Sequence, residues 1–353
     1  MVEVPNFSKN HEKILPNQIL LFAEPIFKSP TLDASKETKF RIPLGVEAWV
    51  EQLADLLSQE KLTQEKLTEA FGKEYLSILS ALKEMNVPFR IIIAHRKAMD
   101  EGITFTILRD FNVKSLGLHE AISETCFPRD MLVDFDGQIF INPRANFKFT
   151  DNSGITSSLG EGGRVLKLGK KVFVPDPREF VQPKSQYVND LNSLSNRFQF
   201  GYLPYPLTRE IDIKSKTNRI FPNDHLDRVA AFIKGGDGGE YLLLDGNYVA
   251  ESRFPYGKYW PKINAECQKL NVNPVVVDRK PDSIPYALNL EQFADGSVLL
   301  TGGDHSLAKI IKELVGDNKT YTTRLPIVFY PLFRRGGIRC MFLHAPQKIL
   351  GKP

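Results

Sequence analysis

Short apolar segments that break at a glycine turn and resume recur along this chain: MLVDFDGQIFIN, RVLKLGKKVFV, EYLLLDGNYVA and FADGSVLLTG. Asp136-Gly137, Asp245-Gly246 and Asp295-Gly296 supply the positive φ that tight primed turns need, and Gly169-Lys170 is a further such pair, so each segment is expected to be a β-hairpin. Hairpins alone would make an all-β chain. The amphipathic stretches between them, KYWPKINAECQKL and HSLAKIIKELVG, repeat apolar residues at helical spacing and exclude that. The recurring unit is therefore hairpin, helix, strand. Its repetition at unequal intervals points to a single α/β domain of modules with inserted loops, although 353 residues alone would suggest two domains.

Before the first hairpin the texture differs. Residues 46 to 86 are expected to be helical, as VEAWVEQLADLL and then EKLTEAFGKEYLSILSALKEM, with Thr63 and Gln64 opening the second run. A buried strand, PFRIIIA, follows and ends at Ala94. Together these make a helical N-terminal part over about residues 1–95. Residues 142–160 and 198–224, rich in turn formers and aromatics, are expected to be inserted loops.

Composition narrows the function. The chain is 42% hydrophobic and 25% charged, which suits an ordinary globular core. A net charge of +4 without a dense basic block gives no sign of nucleic-acid binding. The first residues lack the apolar core and cleavage site of a secretory signal, and no apolar run is long enough to span a bilayer. No membrane association and a cytoplasmic location are expected. The three cysteines, Cys126, Cys267 and Cys340, are too few and scattered for a disulfide framework and lack metal-ligand spacing.

Several polar residues stand where their surroundings are apolar. In CFPRDMLVDFDG, Asp130 enters a strand beside Arg129; the plain alternative is a solvated ion pair. In SLGEGGRVLKLG, Glu161 precedes two glycines that allow a sharp turn or a close backbone approach. In NDHLDRVAAFI, an extended backbone would put His225 and Asp227 on one face. The other histidines, His11, His95, His119, His305 and His344, have no comparable local partner and are given no role.

In RRGGIRCMFLH, the ordinary reading of Cys340 is a buried core thiol. Against it, Gly336 and Gly337 make a pliable turn, and Arg334, Arg335 and Arg339 would favour the reactive thiolate, so Cys340 is the candidate nucleophile. Cys126 and Cys267 look like packing thiols. The aromatic run Tyr202 to Tyr205 with Arg209 either closes over a substrate or packs on its own loop. A thiol, an imidazole and three carboxylates exceed what papain-like chemistry needs. Extra carboxylates suit a cationic substrate, and a guanidinium matches them in charge and geometry.

Taken in order, FPRD, GEGGRVL, HLDRV and GGIRCM resemble the motifs of the arginine deiminase and amidinotransferase superfamily, guanidino-group modifying enzymes of the pentein fold. The resemblance spans residues 127 to 340. It implies an α/β propeller of hairpin-containing modules around a pseudo-five-fold axis. It also implies that Cys340 attacks the guanidinium carbon, that His225 protonates the departing amine and then activates water, and that Glu161 steadies the imidazole. Asp130 and Asp227 would grip the guanidinium, with Arg129, Arg164 and Arg339 as further substrate-binding candidates. The implied activity is hydrolysis of an arginine-like compound through a covalent S-alkylthiouronium, with no metal and no organic cofactor. A second amine in place of water would make an amidinotransferase, and a non-catalytic pentein-fold binding protein is the remaining alternative. Arg164 departs from the pattern: arginine deiminases usually carry an acidic residue there, and the exchange favours a substrate with an acidic terminus. The expected partner is a small guanidino compound; the oligomeric state stays open, a homo-oligomer included.

Overall fold

The computed structural model of the chain describes residues 17–23, 39–43, 64–87, 89–96, 103–107, 122–123, 129, 132–143, 145–146, 154–179, 185–212, 215, 217–253, 257–279, 283–328 and 337–346. The expected helix at 46–57, Cys126, Asp130, Arg334, Arg335 and Gly336 lie outside the described residues.

Strands Leu132–Phe135 and Gln138–Ile141 pair antiparallel across Asp136-Gly137, whose φ values of 51° and 94° fit a type I′ turn. Gly154–Thr156 adds parallel to the second strand. The plan recurs with Leu166–Leu168 and Lys171–Pro175, to which Gln199–Leu203 adds parallel after helix Ser185–Leu194. Ala230–Lys234 and Glu240–Asp245 are likewise followed by helix Tyr259–Leu270 and strand Asn273–Val277. Glu291–Gln292 and Val298–Leu300 are followed by helix His305–Val315 and strand Thr320–Thr322. A last triad joins distant parts of the chain: Phe342–Pro346 pairs antiparallel with Asn17–Ala23, and Phe89–Arg96 adds parallel after helix Gln64–Glu84. A parallel neighbour needs a crossover connection, and in the four triads after the first a helix lies in it.

Some expectations are corrected. EYLLLDGNYVA is not a hairpin: the Asp245 side chain accepts the Asn247 N–H at 2.8 Å and caps helix Gly246–Ala250. Strand Glu240–Asp245 pairs back across the glycine-rich turn at 235–239 instead. Aspartate serves a tight turn and an N-cap equally well, so the dipeptide alone is ambiguous. The 198–224 stretch is not an inserted loop. It holds Gln199–Leu203 and a hairpin of Leu207–Asp212 with Thr217–Pro222, flanked by Lys39–Pro43. Most of Leu207–Asp212 is half-buried on both faces, so no apolar alternation marks it. In 142–160, Ala145–Asn146 and Gly154–Thr156 are strands too short to show a period. The strand expected to stop at Ala94 runs to Arg96 because it pairs with Ile103–Ile107.

Helix His305–Val315 shows how the helices are built. Leu307, Ile311 and Val315 recur every four residues and are buried on one face. Asp304 Oδ1 accepts the Leu307 N–H at 3.0 Å, a cap worth about 1 kcal/mol, and Gly316 at φ 96° ends the helix. Apolar side chains are shared between successive triads: Phe140 with Val172, Phe173 with Leu242, and Leu243 with Leu299 and Phe342. Burial of such side chains, at about 1.5–3 kcal/mol each, holds the triads together and brings the turns that precede their first strands into one region. Among the described residues, no helix is long and apolar enough to cross a membrane.

Candidate active site

The site is made of tight turns that lead into first strands. Glu161 links two 3-10 turns, Ser158–Gly160 and Gly162–Arg164, before Leu166–Leu168. His225 caps the turn Leu226–Arg228 before Ala230–Lys234. Cys340 lies within the turn Arg339–Met341 before Phe342–Pro346. His225 and Asp227 therefore meet through a 3-10 turn, not through strand alternation as expected. The glycines act by close approach. A Cβ on Gly163 would sit 2.2 Å from His225 Nδ1, and one on Gly337 would sit 2.8 Å from Asn289 Cβ, so the expected pliable turn at Gly337 is instead a packing contact.

These turns assemble a connected chain of polar groups. His225 Nε2 lies 2.7 Å from Glu161 Oε1, and His225 Nδ1 lies 3.9 Å from Asp227 Oδ1. The Cys340 thiol donates to Asp227 Oδ2 at 3.4 Å. Asp227 is fully buried and Cys340 is 2% exposed. Asp227 Oδ1 has no hydrogen bond among the described residues, an orphaned carboxylate oxygen that a cationic N–H would satisfy.

The three candidate arginines have different surroundings. The Arg164 guanidinium donates to Glu161 Oε2 at 2.8 Å and pairs with Asp224. Burial works against its charge, but Asp224 and Glu161 outweigh that and raise its pKa. Arg339 donates to the Val165 carbonyl at 3.4 Å and faces Glu291 Oε2 at 3.8 Å. Burial, joined by the charge of Arg129, lowers Arg339 to about 10, so it remains cationic at neutral pH. Arg129 reaches the same carbonyl at 3.5 Å. Burial disfavours the Glu291 anion, yet His344, Arg129 and Arg339 hold its carboxyl below the ordinary glutamate value.

Sequence reasoning missed Asn289, Asp224, Glu291 and His344. Asn289 Nδ2 lies 3.2 Å from the Cys340 sulfur, and Glu291 Oε1 lies 2.7 Å from His344 Nε2. A signal for Asn289 was present: in YALNLEQF it is a polar residue in an apolar run just before a first strand, the placement that marked Glu161. The aromatic run around Tyr205 packs inward; Tyr205 is buried, and its carbonyl accepts the Tyr259 hydroxyl at 2.9 Å. Cys267 is buried on helix Tyr259–Leu270, and burial pushes its thiol up to about 12, as suits a packing cysteine. Glu161, Asp224 and His225 could each offer a donor to one metal ion, all within 4.8 Å of one another. The Arg164 guanidinium already supplies positive charge to both carboxylates of that group.

No protein-family model and no curated protein matches the chain by sequence. Solved structures do match. The chain is similar to SxtG, an amidinotransferase of the saxitoxin biosynthetic pathway from Microseira wollei, with 12% identity over 93% of this chain and 94% of that one, at a TM-score of 0.51. It also matches the N-terminal domain of the cyanobacterial arginine dihydrolase ArgZ, with 13% identity over 93% of this chain and 97% of that one (TM-score 0.46). Agmatine deiminase from C. jejuni matches over 55% of this chain and 57% of its own length, with 15% identity and a TM-score of 0.34. The chain thus has the α/β fold of the pentein superfamily of guanidino-group modifying enzymes, which its motifs resemble.

Proposed function

We propose that this chain is an enzyme that cleaves a C–N bond of a guanidino compound, with Cys340 as nucleophile and its strand triads disposed around the site. One observation carries the reading: the fully buried Asp227 carboxylate meets the Cys340 thiol at 3.4 Å through one oxygen and the His225 imidazole at 3.9 Å through the other. A carboxylate so placed holds a guanidinium with its carbon against the sulfur.

The Cys340 thiolate adds to the guanidinium carbon. The imidazolium of His225, kept in place by Glu161, gives its proton to the departing nitrogen as the C–N bond breaks. An S-alkylthiouronium remains on Cys340. His225, now neutral, takes a proton from water, whose oxygen attacks the same carbon, and breaking of the C–S bond returns the thiolate. Asp227, with Asp130 as a second candidate carboxylate, balances the substrate charge, and Arg129 and Arg339 are candidates for an acidic group of the substrate. We favour hydrolysis. The likeness to an amidinotransferase supports a second reading, in which an amine replaces water as acceptor.

Incubation with arginine, agmatine, methylated arginines and short guanidino acids should give turnover, read as ammonia or urea, and a mass adduct on Cys340. C340S should abolish both, whereas C267S should keep both. Product that forms only when glycine or ornithine is added would establish amidino transfer. Neither adduct nor turnover across the panel would overturn the enzymatic reading.

A further inference from the structure

Asn289 closes a turn in which its N–H donates to the Tyr286 carbonyl at 2.9 Å, and it precedes strand Glu291–Gln292 as Glu161, Asp227 and Cys340 precede the first strands of their own triads. It is 2% exposed. Its Oδ1 accepts the Cys340 N–H at 3.2 Å, and its Nδ2 donates to the Asp227 carbonyl at 3.1 Å and reaches the Cys340 sulfur at 3.2 Å. A backbone N–H only donates and a carbonyl only accepts, so a flipped amide would lose both contacts. The NH2 group therefore faces the sulfur. The Asn289 carbonyl also takes the Arg339 N–H at 3.1 Å, which ties the nucleophile's turn to this residue twice.

Asp227 and Asn289 act on the sulfur in opposite senses. A carboxylate beside sulfur favours the protonated thiol, whereas an N–H donor favours the thiolate. Being neutral, Asn289 does this without competing with a substrate cation for Asp227.

We propose that Asn289 is a positioning residue that holds the Cys340 sulfur through an N–H···S hydrogen bond and stabilises its thiolate. The idea rests on Cys340 as the nucleophile, but its consequence is a property of the thiol and is measured without turnover.

The test is the pH dependence of Cys340 alkylation by iodoacetamide, followed on its own peptide by mass, in the wild type, N289A and N289D. The pH of half-maximal reactivity should rise by about one unit in N289A, which loses a hydrogen bond to a charged acceptor. It should rise further in N289D, which keeps the acceptor for the Cys340 N–H but adds a carboxylate. Circular dichroism and Tm establish which variants fold. An unchanged midpoint in either folded variant overturns the proposal. If neither folds, the wild type decides: the Asn289 side-chain amide proton resonances should move as Cys340 ionises and stay still over that range in C340A, and their failure to move overturns it equally. A shifted midpoint in a chain that turns over no guanidino compound would support this contact while removing the enzymatic reading.

Discussion

The Arg164 guanidinium donates to Glu161 Oε2 at 2.8 Å and also pairs with Asp224, so the carboxylate that steadies His225 is itself steadied by a buried cation. Arg164 is 5% exposed, and its removal leaves the buried Glu161 carboxylate and the partly exposed Asp224 without the cation they share. R164Q should therefore lower stability by about 2–3 kcal/mol, less than the cost of breaking a fully buried pair because water can reach Asp224, read from the urea midpoint. Its kcat should fall with every substrate alike. If Arg164 instead meets a substrate acid, R164Q would raise KM for arginine far more than for agmatine and leave the urea midpoint in place.

Gly163 makes a sharper demand on geometry. A methyl group there would lie 2.2 Å from His225 Nδ1 and 2.8 Å from Cε1, so the imidazole must move by about an ångström to reach ordinary contact. G163A should lower kcat by about a hundredfold, since a displacement of that size in a catalytic group costs roughly that much. The alkylation profile of Cys340 should change little, because the three atoms nearest to that methyl group all belong to His225. A G163A protein with kcat within threefold of wild type, measured on the best substrate of the panel, would show that His225 does not need this position.

Much of the site was legible because its residues sit at strand entries that local pattern reveals. Glu161, the His225–Asp227 pair and Cys340 each interrupt an apolar segment, and the structure brings them into one chain of contacts. Asn289 interrupts an apolar run in the same way, but an amide names no chemistry by residue type until the fold sets it beside Cys340, 51 residues away. From sequence Arg164 is expected to meet a substrate acid, and its pairing with Asp224 is not legible because Asp224 lies far along the chain and only the fold brings the two together. The hairpins at 132–141 and 166–175 follow from alternation and turn chemistry. The one at 207–222 escaped because its half-buried faces leave no period, and Asp245 misled because an N-cap and a primed turn begin with the same residue.

Glu251 offers a test of stability against pH that is independent of the site. It is 8% exposed and its Oε2 accepts the Leu207 N–H at 3.1 Å. Burial raises its carboxyl to about 8; the Leu207 N–H opposes the rise and the Asp245 charge adds to it. The folded chain thus binds this proton more tightly than the unfolded chain, whose value is near 4.5. The stabilisation it brings is complete below 4.5, fades as pH rises, and is lost above about 8. E251Q keeps an acceptor for Leu207 but cannot ionise. It should match the wild type at pH 5 and exceed it at pH 9 by about 2–4 kcal/mol, as a shift of this size implies after allowance for partial solvent screening. Urea midpoints at the two pH values decide it: parallel profiles for the two proteins would mean that Glu251 is ionised in the folded chain throughout, and that its burial is relieved by a cation or by water.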